Sequence, residues 1–189
     1  MGWATSAAFV CLIACVIGRV AMLRRRGVRA FVFGETDKSD FILPPCVLAV
    51  AYCVVAPGFG WPMWWPLVAP WWPSAVPGWF GVALCWLAVI GMVWTLKSFG
   101  ESFRVGIDER EPGGLITTGA FAVSRNPIYV CFLAFLAGLF LVEHNVITAV
   151  ALAALAVVIH VQVSREESFL STHYGEAFAA YCQNVRRYV

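Results

Sequence analysis

The stretch PIYVCFLAFLAGLFLVEHNVITAVALAALAVVIHVQV, residues 127–163, decides the fold. It holds two apolar runs, Pro127–Val142 and Val146–Val163, separated only by Glu143-His144-Asn145. Each run approaches the roughly 20 apolar residues that carry a helix across a bilayer. Backbone polar groups in lipid must be satisfied within their own segment, so both runs read as helices. A three-residue link makes them a tight antiparallel hairpin. Whatever precedes Pro127 therefore ends beside whatever follows Val163.

Working outward, three more apolar segments precede the hairpin: about Trp3–Leu23, Phe41–Phe59 and Trp79–Leu96. The chain of 189 residues is 61% hydrophobic and 13% charged, where a soluble domain is about one quarter charged. The expected architecture is all-α: one polytopic membrane domain with about five transmembrane helices and a C-terminal amphipathic helix. The first segment resembles a signal anchor. No small-residue cleavage site precedes its Arg run, so it is expected to be retained.

Charge sets the expected orientation. Lys and Arg fall at the end of the first segment and the loop after it, at Lys97, in the loop holding Arg104, Arg110 and Arg125, and in the tail. Nothing between Phe41 and Leu96 is charged. With five spans all the basic places share one side. The positive-inside rule puts that side and the C-terminus in the cytosol and the N-terminus outside. The Trp- and Pro-rich stretch Trp61–Pro77 then lies outside as an interfacial belt, its prolines excluding a regular helix. A lipid-substrate mouth is the alternative reading.

The composition excludes several classes. A net charge of +2 without a basic, aromatic-interleaved cluster gives no nucleic-acid partner. The seven cysteines form no CxxC pair, and His144, His160 and His173 are scattered, so no metal or disulfide framework is expected. Pro112-Gly113-Gly114 through Gly119 is Gly-rich but has neither a Walker pattern nor GxGxxG after a strand. Its glycines read as turn formers against the membrane surface.

Two polar stretches remain, Ser124-Arg125-Asn126-Pro127-Ile128-Tyr129 and Arg165-Glu166-Glu167-Ser168-Phe169-Leu170. Each borders an apolar run, and ionisable groups beside membrane helices mark function. Asn126-Pro127 is a helix start, Asn as cap and Pro at the first position. Asn126 can equally serve as a ligand group. Arg125 has the same sign as the helix N-terminus and needs another reason to be there. Pairing with Glu166 or Glu167 is one, holding a ligand carboxylate the other. Tyr129 shares their side of the helix. Of the Glu pair, one is expected to point inward and one to solvent. Phe169, Leu170, Tyr174, Phe178 and Tyr181 recur at near-helical spacing as an amphipathic tail helix. His173 reads as a surface residue of that helix and His160 as a satisfied polar group in the fifth span.

Arg125-Asn126-Pro127-Ile128-Tyr129, Glu166-Glu167-Ser168-Phe169-Leu170, and Tyr174-Gly175-Glu176-Ala177-Phe178 with Tyr181 together resemble the motifs of the isoprenylcysteine carboxyl methyltransferase and phospholipid methyltransferase superfamily. The resemblance covers the chain from about Phe103 onward. It divides the domain into three N-terminal spans (1–97) and a methyl-donor-binding half (98–189). It implies S-adenosylmethionine as cofactor, held by Arg125, Asn126, Tyr129, Glu166, Glu167 and Gly119. It implies a lipophilic acceptor at the cytosolic face, with Arg104 and Arg165 as catalytic or acceptor-side residues. The family's His stands as Asn126 here. A neutral amide keeps donor binding and loses any acid–base task. The leading expectation is an enzyme like the carboxyl O-methyltransferases, with amine N-methylation of a phospholipid as alternative. A non-catalytic membrane scaffold is the competing class. A small transporter is disfavoured, because the polar groups gather at one face rather than at the midplane.

Overall fold

The computed structural model describes residues 1–25, 48, 51–52, 56, 60–62, 65–72, 75–99 and 114–189. Every regular element among them is helical: α1 (Gly2–Arg25), α2 (Trp65–Val68), α3 (Val76–Phe99), a 3-10 turn (Gly119–Ala122), α4 (Pro127–Glu143), α5 (Val146–Tyr174) and α6 (Glu176–Asn184). Three of these, α1, α3 and α5, are long and apolar enough to cross a membrane, and α4 is a shorter apolar helix of 17 residues. Most of the expected span Phe41–Phe59 lies outside the described residues, although Leu48, Ala51, Tyr52 and Ala56 are helical.

The core lies where α1, α3 and α4 meet. Ala8 and Leu12 of α1 pack with Cys85, Ala88, Val89, Met92 and Leu96 of α3 and with Cys131 and Phe135 of α4. Helix contact in lipid depends on close packing, because lipid tails are as apolar as Leu. Gly81 and Gly138 supply that closeness. A Cβ on Gly138 would lie 2.7 Å from the Gly81 carbonyl oxygen and 2.8 Å from Cys85 Sγ, and one on Gly81 would collide with the Gly138 carbonyl. Large apolar side chains such as Val10, Phe80, Leu87, Ile90, Val150 and Val157 point outward, as lipid-facing positions do.

The hairpin forms as the sequence predicts. His144 takes a left-handed conformation (φ 30°) and Asn145 caps α5, accepting from Thr148 N at 3.0 Å. The His144 ring stacks on Trp72 at 4.5 Å, with Nε2 2.8 Å from the Trp72 carbonyl oxygen. The Trp/Pro stretch is thereby tied to the hairpin turn. It contains one helical turn, α2, against the expectation of no regular helix: Pro66 falls in the first turn, where its missing N–H breaks no bond.

A second difference concerns the tail. The fifth span does not stop at Val163. α5 continues for 29 residues to Tyr174, since no Gly or Pro interrupts it, and reaches about 43 Å, well beyond a ~30 Å hydrocarbon core. Arg165, Glu166 and Glu167 thus sit within α5, not after it. Gly175, with φ +52°, ends α5 and starts α6. The expected single amphipathic helix is therefore split, Phe169, Leu170 and Tyr174 on α5 and Phe178 and Tyr181 on α6.

Candidate active site

Along α5 the buried positions are Thr148, Leu155, Ile159, Val163 and Glu167. The last four step by one turn each, so Glu167 occupies the place of the next core residue on that stripe. It is 9% exposed. A carboxylate so placed must be compensated.

The start of α4 supplies part of the compensation. Pro127 fills the first turn and Asn126 the cap position, yet the Asn126 side chain makes no capping bond. Its Nδ2 donates instead to Glu167 Oε1 and to the Arg187 carbonyl oxygen, both at 3.1 Å. Ser124 Oγ accepts from Asn126 N at 3.1 Å and steadies the turn. Arg125 Nε lies 3.3 Å from Glu167 Oε1. That is ion-pair distance, but the N–H is not aligned as a hydrogen bond, and this buried Nε has no hydrogen-bond acceptor.

The remaining cation comes from the C-terminus. After α6 the chain turns extended at Val185 (φ −128°, ψ 131°) and runs back across the site as a strap. Arg125 N donates to the Arg186 carbonyl oxygen at 3.0 Å, and Ser124 Oγ to that of Arg187 at 3.4 Å. The Arg187 side chain then reaches Glu167 Oε2 through Nη2 at 2.8 Å and Nε at 2.9 Å. One step on, Tyr188 Oη lies 3.0 Å from His160 Nδ1. His160 is seven residues before Glu167, about 10 Å along the helix axis.

Glu166 stands beside this cluster. Its Oε1 accepts from Tyr129 Oη at 2.5 Å and from Gln162 Nε2 at 3.1 Å. The expectation that one Glu faces solvent is therefore modified: Glu167 is buried, and Glu166 is half-buried against α4. Asn126 and Tyr129, three residues apart on one face of α4, each meet one Glu of the pair.

A second layer braces the site. Tyr181 of α6 is buried and donates to the Phe121 carbonyl oxygen at 2.6 Å. Burial pushes its phenol up to about 12, with the Arg125 cation opposing and Cys182 and Glu167 adding to the rise. Burial likewise raises Tyr188, with Arg187 opposing and Glu167 reinforcing. Gly119 opens the 3-10 turn at φ +64°, where a Cβ would strike Ser98 Oγ. Ser98 Oγ also accepts from Ala120 N at 3.0 Å. Gly119 thus allows the turn to seat against the end of α3, and the structure places it among these groups rather than against Glu167.

Arg165 is exposed. Two residues from Glu167, it starts about 200° round α5 from it. Arg104 lies outside the described residues. Sequence reasoning missed Arg187, Ser124 and Gln162. Gln162 was legible as the residue one turn before Glu166. Arg187 stands 20 residues from Glu167 and 61 from Asn126, and only its position in a dibasic pair behind an amphipathic helix marked it.

No curated relative matches the chain. The phospholipid methyltransferase family matches residues 76–177. That match begins one helix earlier than the motifs indicated, at α3, and stops at the first turn of α6, short of the strap. It takes in more than half of the chain and both helices that carry the Glu pair and its partners, so the protein belongs to the phospholipid methyltransferase family, within the integral-membrane methyltransferase superfamily that includes the isoprenylcysteine carboxyl methyltransferases.

Proposed function

We propose that this membrane methyltransferase uses S-adenosylmethionine to methylate a lipophilic acceptor at the cytosolic membrane face. The observation that carries the reading is one buried carboxylate, Glu167, gathered with Arg125 and Asn126 where α4 begins and α5 leaves the bilayer. The residues fit the amino-acid head group of such a donor. Glu167 offers a charge-assisted acceptor to an ammonium. The buried Arg125 Nε–H, which lacks an acceptor, offers a donor to a carboxylate. Asn126, Tyr129 and Glu166 add a polar wall with fixed hydrogen-bond directions.

The cofactor, when bound, supplies a methyl group activated by a sulfonium. The protein's own part is alignment and exclusion of water. Fixing donor and acceptor in line converts an encounter into an intramolecular step. The low-dielectric edge of the bilayer favours a reaction that disperses charge. Asn126 is neutral at all ordinary pH and moves no proton. Glu167 is held by Arg125 and Arg187, and Glu166 accepts from Tyr129 and Gln162. Neither carboxylate is set up as a base, which favours an acceptor that is already anionic, such as a carboxylate. We assign Arg165, exposed on the outward face of α5, and Arg104 to the acceptor side. The amine head group of a phospholipid is the second reading, favoured by the family that the chain matches.

Titration calorimetry on the detergent-purified protein tests this. S-adenosylmethionine and S-adenosylhomocysteine are expected to bind saturably. Arg125→Ala and Glu167→Gln each lose about tenfold or more in affinity, the worth of one charge-assisted bond. No binding by folded protein overturns the proposal in favour of a non-catalytic scaffold. Transfer nearly independent of pH above about 6 indicates a carboxylate acceptor, and a steep rise with pH an amine.

A further inference from the structure

Glu167 Oε2 is taken twice by Arg187, through Nη2 and Nε, while Oε1 accepts from Asn126 with Arg125 Nε at ion-pair distance. A ligand ammonium that takes Oε2 therefore displaces Arg187. The three partners differ in how firmly they are held. Asn126 and Arg125 belong to the turn into α4, and the Arg125 side chain is 13% exposed. The Arg187 side chain is 39% exposed and extends from a terminal strap outside any helix. The strap backbone is pinned separately, through the carbonyl oxygens of Arg186 and Arg187. The guanidinium can thus leave Glu167 while the chain that carries it stays in place.

Charge decides where it goes. Removing Arg187 from Glu167 with nothing in exchange strips a buried carboxylate of its best-aligned cation, which is costly. A zwitterionic amino-acid head group avoids that loss: its ammonium takes Arg187's place on Glu167 and its carboxylate takes Glu167's place on Arg187. One ion pair becomes two, and no charge is left unpaired. We infer that Arg187 is a donor-binding residue of this enzyme, and that the head group of the methyl donor inserts into the Arg187–Glu167 ion pair, exchanging each partner for a ligand group of the same sign. The inference rests on the reading of Glu167 given above.

It makes Arg187 a discriminator. A ligand with an ammonium and no carboxylate must break the pair without restoring Arg187's partner. A ligand with neither group leaves the pair untouched.

The test is calorimetry on the full chain with three probes: S-adenosylhomocysteine, its decarboxylated analogue and 5′-methylthioadenosine. In the parent the zwitterion is expected to bind best. In Arg187→Ala the decarboxylated analogue is expected to bind several-fold more tightly than in the parent, since a competing cation is gone. S-adenosylhomocysteine is expected to lose its advantage over that analogue by about tenfold, the worth of one charge-assisted bond. 5′-Methylthioadenosine is expected to be unaffected. Equal shifts for all three probes, or no shift for any, overturn the inference. Arg187→Gln, which keeps a hydrogen-bond donor and removes only the charge, is read by the same ratio where the alanine variant does not fold. Failure of every probe to bind folded parent protein overturns the proposed function itself. Binding by the parent with the wrong pattern in the variants overturns only the insertion.

Discussion

Asn126 illustrates how a residue placed for one task serves another. Its position caps α4, but its amide is spent on Glu167 and the strap. Replacing it with a near-isosteric carboxylate tests that assignment. Asn126→Asp turns a donor to Glu167 Oε1 into a repelled acceptor, and is expected to lower stability by about 2 kcal/mol at neutral pH, read from thermal unfolding in detergent. Tyr181 gives a pH-dependent expectation. Its folded pKa of about 12 exceeds the ordinary phenol value of about 10. The stability it contributes is complete below about pH 10 and is lost as pH rises through about 12. Alkaline unfolding of the parent should show this limb. Tyr181→Phe should lack it, at a cost of about 1 kcal/mol at neutral pH for the bond to Phe121.

The contact between α3 and α4 depends on two missing side chains. Gly81 and Gly138 face each other so closely that a methyl on either meets backbone atoms of the other helix. Backbone cannot rotate aside as a side chain can. Gly138→Ala is expected to destabilise the protein by about 1–3 kcal/mol through overpacking, and Gly81→Ala similarly. Gly18→Ala on α1, where a Cβ meets nothing within 4 Å, is expected to be tolerated. Thermal midpoints of the three variants in one detergent decide the matter, and equal losses would remove the packing explanation. α5 adds a lesson about boundaries. Hydropathy falls after Val163, but a helix stops where its backbone must, at Gly175 with its positive φ. The apolar run marks the part of α5 apolar enough to lie in lipid, not where the helix ends.

At the scale of the molecule, the hairpin brings the start of α4 and the far part of α5 to one end, and the strap returns the C-terminus there as well. The excess of basic residues on that side predicts that it is cytosolic. A reporter fused after Val189 is expected to be active only in its cytosolic form, and an extracytoplasmic signal would overturn the orientation. The all-helical class, the hairpin and the meeting of Arg125, Asn126 and Tyr129 with the Glu pair were legible in the sequence. Each follows from local rules: apolar length, a three-residue link, and a Pro at a helix start. The choice of Glu167 over Glu166 was not legible: residues 146–163 are apolar almost throughout, so no stripe stands out until Leu155, Ile159 and Val163 are seen to be the buried ones. Neither was Arg187. No periodicity relates a residue beyond the last helix to a carboxylate 20 positions earlier, and its approach depends on how Gly175 redirects α6 and how the strap then lies across α4. Sequence by itself determined which elements form and which end of the bundle is polar, because backbone hydrogen bonding in lipid leaves few alternatives. Only the tertiary structure decided which cations share the buried carboxylate, because that depends on side chains converging from three separate segments.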